Sequence, residues 1–385
     1  MCIRDRTFTE ALTTTPKIAI SGVSSVAATN MSGSGTSWTY SYTAPAGNGT
    51  DTFAFSVGTD AAGNTVTAGP TSGATVTVDN TAPTISAVTQ IATNTSDNTP
   101  SYVFTTNETG TVTTNIGAGI GSGGTVTSTG NNTVTFAELS DATYSSKTIT
   151  LTDTAGNASS LTLSTFTVDT TAPTLSSVAI ASTNSTTSLV KHGQDVVLTF
   201  TASETIGTPT VTFFSGGDST DDGTISYVNT TGNTWTATYD VRYADTEGAV
   251  TFSISFSDSA SNAGTAVTAV TNGSTVTFDR TPPTITQVTA VPTPSNDTTP
   301  SYVYTTNEAG TITSSLAFST TTSASTGSNQ TITFNTLSAG IYSGETLTIT
   351  DPTGNARTKT IPDFTIETTA PTGAITYSAD APYKQ

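Results

Sequence analysis

Polar and apolar residues alternate along most of this chain. In Ser101–Asn107 (SYVFTTN), Asn132–Leu139 (NTVTFAEL), Lys147–Asp153 (KTITLTD) and Ser164–Asp169 (STFTVD), apolar side chains fall on one face and polar ones, mostly threonine, on the other. A period of two predicts strands with one buried face. Clusters of Gly, Asn, Asp and Ser between the runs predict turns. About seven such strands fit into each stretch of roughly 90 residues, the content of a β-sandwich. No stretch carries a helical period, so the expected fold class is all-β.

A phrase recurs four times: VDNTAPT (Val78–Thr84), VDTTAPT (Val168–Thr174), FDRTPPT (Phe278–Thr284) and IETTAPT (Ile366–Thr372). Its prolines, Pro83, Pro173, Pro283 and Pro371, are 90, 110 and 88 residues apart, each a sandwich length. Proline fixes its own φ and keeps its predecessor extended, as a linker requires. The units alternate in kind. Thr99–Thr113 (TPSYVFTTNETGTVT) returns 200 residues later as Thr299–Thr313 (TPSYVYTTNEAGTIT), whereas Thr234–Asp240 and Thr251–Asn262 of the longer unit resemble Ser37–Thr43 and Thr52–Asn64.

The expected division is therefore residues 7–79, 80–168, 169–279 and 280–367, with 368–385 opening a further domain. Thr7–Ile20 aligns with a segment well inside the 169–279 domain, so the first domain is expected to lack its opening strand. Residues 1–6 (MCIRDR) match no repeat and are expected to be a foreign start, which leaves Cys2 without meaning.

Composition sharpens this picture. Threonine is β-branched and suits half-exposed strands. Only 10% of residues are charged and 34% are apolar, which argues against charge-driven disorder. The net charge of −18 and the lack of a basic patch exclude nucleic acid and anionic membrane surfaces as partners. An acidic surplus serves solubility in salty surroundings or holds divalent cations. The single cysteine rules out an internal disulfide and is compatible with secretion. No apolar run reaches the length of a membrane span.

Acidic residues recur at three matching points of each unit. One is the linker, Asp79, Asp169 and Asp279, with Glu367 at the last junction. A second closes the second strand, at Glu10, Glu108, Glu204 and Glu308. A third opens a turn before the last strand, in DAAGN (Asp60–Asn64), DTAGN (Asp153–Asn157), DSASN (Asp258–Asn262) and DPTGN (Asp351–Asn355). In a Greek-key sandwich these three points share the end where the chain enters. The expected metal sets are thus Asp79, Glu108 and Asp153; Asp169, Glu204 and Asp258; and Asp279, Glu308 and Asp351. Calcium, which takes six to eight oxygens in flexible geometry, would relieve the repulsion and stiffen each junction. The same D-x-x-G-N is also hairpin-turn chemistry, with Asp bonding its own backbone and Gly or Asn taking positive φ.

The V-D-x-T-A-P-T linker followed by D-x-A-G-N resembles the bacterial Ig-like domains of giant repeat adhesins, over nearly the whole chain from Thr7. The resemblance implies tandem immunoglobulin-like Greek-key β-sandwiches arranged as an elongated rod, an extracellular or cell-surface stalk of a bacterium, and in some members calcium between domains. Neighbouring Ig-like domains of one longer chain are the expected partners. A glycan- or surface-binding module and an accessory segment of an extracellular enzyme are the alternatives. Glu367 departs from the usual linker Asp.

No catalytic site is expected. His192 is the only histidine, too few for a nucleophile–base pair or a clustered zinc site. Gly117–Gly124 (GAGIGSGG) lacks the lysine and helix of a phosphate loop and reads as a flexible connection. Gly216–Gly223 (GGDSTDDG) lacks the closing Glu of a calcium loop. Trp38 and Trp235 hold equivalent positions, which points to packing. Every recurring acid is shared by all units, and repetition suits a structural role.

Overall fold

The computed structural model describes residues 2–66, 69–220, 224–320 and 322–374, with side chains from residue 6 onward. Asp221 and Asp222 of the glycine-rich 216–223 loop, and most of the segment expected to open a further domain, lie outside the described residues. Every regular element among the described residues is a strand. They fall into two compact units, Met1–Thr171 and Ala172–Gln385.

Each unit holds two separate apolar cores. In the first unit, one core gathers Ile18, Ile20, Met31, Trp38, Tyr42 and Phe53. The other is built on Tyr102, Phe104, Val134, Phe136, Ile149, Leu151 and Phe166. In the second unit, Val178 to Phe278 supply one core and Ile285 to Ile366 the other. Each core draws its residues from a single sequence repeat.

The second sandwich shows how the alternation becomes architecture. Tyr102, Phe104 and Thr106 of the strand Ser101–Thr106 point inward while Ser101, Val103 and Thr105 point out. One sheet runs in the order Ile120–Ser122, Gly130–Phe136, Ser101–Thr106, Ile85–Thr89. The facing sheet runs Thr125–Val126, Gly110–Thr114, Thr148–Thr152, Ala158–Thr162. Phe166–Val168 closes the sandwich, pairing antiparallel with Ala142–Tyr144 and parallel with Asn94–Thr95. Most successive strands change sheets, as in Greek-key connectivity, while Thr148–Thr152 and Ala158–Thr162 form a hairpin within one sheet. The fourth sandwich repeats the arrangement, with Ser301–Thr306 between Ile285–Thr289 and Gln330–Thr333.

Threonine also has a specific use. On outward faces its hydroxyls pair across strands: Ser101 with Thr135 at 2.9 Å and Thr150 with Ser160 at 2.7 Å, then Ser301 with Thr333 at 3.0 Å and Thr348 with Thr358 at 2.8 Å. Such pairs are a unit of sheet stabilisation.

Two observations bear on the expected boundaries and connections. No element boundary falls at residue 6. One strand, Cys2–Leu12, runs through it and pairs antiparallel with Ser32–Tyr42, because an extended backbone completes a ladder whatever its side chains. Among the described residues no strand lies on its other edge, where Leu175–Ser182 pairs with Asp195–Ala202 in the third sandwich. The glycine-rich segment 117–124 is not merely a flexible connection, since Ile120–Ser122 is a strand paired with Gly130–Phe136. Gly123 packs so closely on it that a Cβ would stand 2.1 Å from the Thr133 carbonyl oxygen.

Candidate metal centres

Glu108 follows the strand Ser101–Thr106, and Asp153 follows Thr148–Thr152. Both strands run toward the end of the second sandwich at which the linker enters, bringing Asp79. One oxygen from each of Asp79, Glu108 and Asp153 lies within 4.8 Å of the others. The equivalent oxygens of Asp279, Glu308 and Asp351 meet the same limit at the entrance of the fourth sandwich. In the third sandwich Glu204 and Asp258 approach within that distance. Asp169 belongs to the first unit, where its amide donates to Thr95 O at 3.0 Å and its carboxylate takes the Thr171 amide.

Each turn aspartate divides its labour between two oxygens. Oδ1 of Asp153 accepts the backbone amides of Ala155, Gly156 and Asn157 at 2.7–2.9 Å. Oδ2 accepts the Asn157 side-chain amide at 2.9 Å. Asp351 does the same with the amides of Gly354 and Asn355 and with the Asn355 side chain. Asp258 follows with Ala260, Asn262 and the Asn262 side chain. The turn reading of D-x-x-G-N thus holds alongside the clustering of the carboxylates, as one residue serves both.

The linker aspartates are fixed as well. Asp79 and Asp279 each accept, on Oδ1, the amide of the threonine two residues on, at 3.0 and 2.9 Å. The preceding sandwich clips the linker too. Asn48 Oδ1, Asp141 Oδ1 and Glu247 Oε1 accept the amides of Asn80, Thr170 and Arg280, respectively.

At the fourth sandwich the electrostatics are unfavourable for three bare anions. Burial, with help from the charge of Asp351, pushes the Asp279 carboxyl above the usual carboxylate range. Burial and then the charges of Asp279 and Asp351 push Glu308 upward. Glu308 Oε2 is buried with no hydrogen-bond partner. Asp153 goes the other way: the Asn157 side-chain amide, aided by the backbone amides of residues 155–157, outweighs burial and holds it below its ordinary value. Arg280 pairs with Glu247 and Arg242 with Asp240. Among the described residues no lysine or arginine pairs with the Asp79 or Asp279 sets. Oxygens that ligate one calcium at about 2.4 Å lie at most about 5 Å apart, and the 4.8 Å spacing respects that bound. All the donors are hard oxygens, as calcium prefers.

The sequence marks Asn157 and Asn355 as turn residues. In the structure their side-chain amides also donate to the linker carbonyls, Asp79 O and Asp279 O, each at 3.1 Å. Their recurrence at the fifth position of the turn phrase was the available signal. Thr353, whose Oγ1 donates to Asp279 Oδ2 at 3.3 Å, has no counterpart in the other turns and carried none.

The remaining candidates fall into structural roles. Trp38 is buried, with Nε1 donating to Gly35 O, and Trp235 packs half-buried against the third core. His192 is exposed, edge-on to Tyr243, with Nδ1 at 3.3 Å from Val241 O. In the first sandwich Asp60 keeps the turn role, and Glu10 lines the same open cavity as Asp60.

The family model for the bacterial Ig-like domain (group 3) matches residues 130–271, from the later strands of the second sandwich through most of the third. Over that stretch the chain is similar to the family that its linker and turn phrases resemble. No curated protein matches the chain. Among solved structures, a tetra-tandem repeat from the extending region of a large adhesion protein aligns over 95% of this chain and 95% of its own, at 18% identity and a TM-score of 0.31. A three-Ig fragment of titin, in an E-to-A variant, aligns over 74% of this chain and 97% of its own, at 9% identity and a TM-score of 0.37. At such scores the likenesses carry no weight for function.

Proposed function

We propose that this run of bacterial Ig-like sandwiches is a structural spacer of a bacterial surface or secreted adhesin, with calcium bound at the junctions within each unit. The observation that carries the calcium reading is the entrance of the fourth sandwich, where three clustered carboxylates include a buried Glu308 oxygen with no donor. An unpaired buried charge is costly. A divalent cation held by Asp279, Glu308 and Asp351 would remove that cost and supply the charge that no side chain provides. Asp79, Glu108 and Asp153 would hold a second ion. Repetition supports the spacer role, since the same acids stand at the same end of successive sandwiches. In a linear array, stability comes from each core plus contacts with its neighbours. An ion shared between linker and sandwich would strengthen the neighbour term.

Thermal unfolding of the full chain in calcium and in chelator tests the reading. A ligand that binds only the folded state at one hundred times its Kd adds about 2.7 kcal/mol. Calcium is expected to raise the unfolding temperature, and magnesium to do so less because it demands near-octahedral geometry. Asp279→Asn is expected to remove part of the calcium response. Identical unfolding curves in millimolar calcium and in chelator would sink the proposal.

A further inference from the structure

The turn that carries Asp351 is held from two sides. From below, Asp351 organises it and Asn355 ties it to the linker. From the third sandwich, Asn184 Nδ2 donates to Thr353 O at 2.8 Å, and Lys191 Nζ donates to Gly354 O at 2.8 Å. These partners are 169 and 163 residues apart in sequence, yet Asn184 and Thr353 are both buried, at 7% and 4% exposure.

The grip is pre-arranged. Asn184 Nδ2 also donates to Gln194 Oε1 at 3.0 Å, and Asn184 Oδ1 accepts the Thr186 amide at 3.0 Å. Gln194 Oε1 in turn accepts the Lys191 backbone amide at 3.1 Å. Gln194 thus orients both gripping residues, and both carboxamide hydrogens of Asn184 have acceptors. The gripped carbonyls belong to Thr353 and Gly354, between Asp351 and Asn355, and Thr353 Oγ1 reaches Asp279 Oδ2.

From this arrangement we infer that Asn184, Lys191 and Gln194 are positioning residues for the Asp279–Glu308–Asp351 site. The inference rests on the calcium reading and extends it: the site is complete only when the third and fourth sandwiches are docked. None of the three touches the ion. They fix the Thr353–Gly354 backbone, which fixes where Asp351 presents its carboxylate. Residues that orient metal ligands from behind commonly alter affinity by 10–100-fold when replaced. Lys191 contributes a charged donor to a carbonyl, and charge-assisted hydrogen bonds are about twice as strong as neutral ones.

The test uses the full chain with Glu108→Gln and Glu204→Gln, which leaves the Asp279–Glu308–Asp351 set as the complete carboxylate set. Calcium uptake is measured by isothermal titration. Asn184→Ala and Lys191→Ala are each expected to weaken calcium binding about tenfold, while Lys191→Arg, which keeps a cationic donor for Gly354 O, restores most of it. Thermal unfolding in chelator checks that both alanine variants fold. Affinity unchanged in folded Asn184→Ala and Lys191→Ala chains overturns the positioning role and leaves the site standing. A parent chain that takes up no calcium overturns the site, and this inference with it.

Discussion

Asp351 carries two roles on one side chain: Oδ1 shapes its own turn, and the carboxylate as a whole joins Asp279 and Glu308. Loss of either role would damage both, so the phrase around it tolerates little change. Gly156 and Gly354 take φ of +99° and +93° in their turns, a region open to glycine. The third sandwich places Ser261 there, at φ +74°. An L-residue pays roughly 1–2 kcal/mol for that conformation, and glycine loses about 0.5–1 kcal/mol more chain entropy on folding. Ser261→Gly is therefore expected to stabilise the third sandwich by about 0.5–1 kcal/mol. Denaturant unfolding followed by Trp235 fluorescence would show the midpoint move up, and a downward shift would mean that the strain is relieved in some other way.

Strand-level features explain where threonine and glycine are placed. Threonine is abundant because outward sheet faces pair hydroxyls across strands, and the Ser101–Thr135 and Thr150–Ser160 pairs return in the fourth sandwich as Ser301–Thr333 and Thr348–Thr358. Glycine is needed where backbones crowd. Gly123 combines φ +76° with a Cβ position 2.1 Å from Thr133 O, so any side chain must push Ile120–Ser122 away from Gly130–Phe136. Gly123→Ala is expected to cost at least about 2 kcal/mol. Amide exchange would locate the loss, with faster exchange expected in the Ile120–Phe136 pairing than in the facing sheet.

Whole-molecule stability divides among four cores that share no residues. Phe104 is fully buried in the second of them. Phe104→Ala is expected to cost about 3–5 kcal/mol, and the loss should stay in the second sandwich. Hydrogen exchange by mass spectrometry is expected to show deprotection of residues 85–168 while 285–366 keeps its protection. Uniform deprotection of both segments would mean that the sandwiches unfold as one body.

Much of this molecule was legible in its residues. The period of two, the turn residues and the linker phrase are short-range signals, and they gave the strands, the sandwich class and the twelve recurring acids, nine of them in the expected metal sets. Turn chemistry at D-x-x-G-N was equally local. Other features needed the folded chain. Asn48, Asp141 and Glu247 clip successive linkers from one position but differ in identity, so no repeated phrase marks them. The grip of Asn184 and Lys191 on Thr353 and Gly354 joins segments more than 160 residues apart. The upward push on Asp279 and Glu308 comes first from burial and then from neighbouring carboxylates, with Asp351 acting on both. Sequence period fixes which way a side chain points from its own strand, whereas distance, burial and the field at a carboxylate depend on packing between segments far apart in the chain.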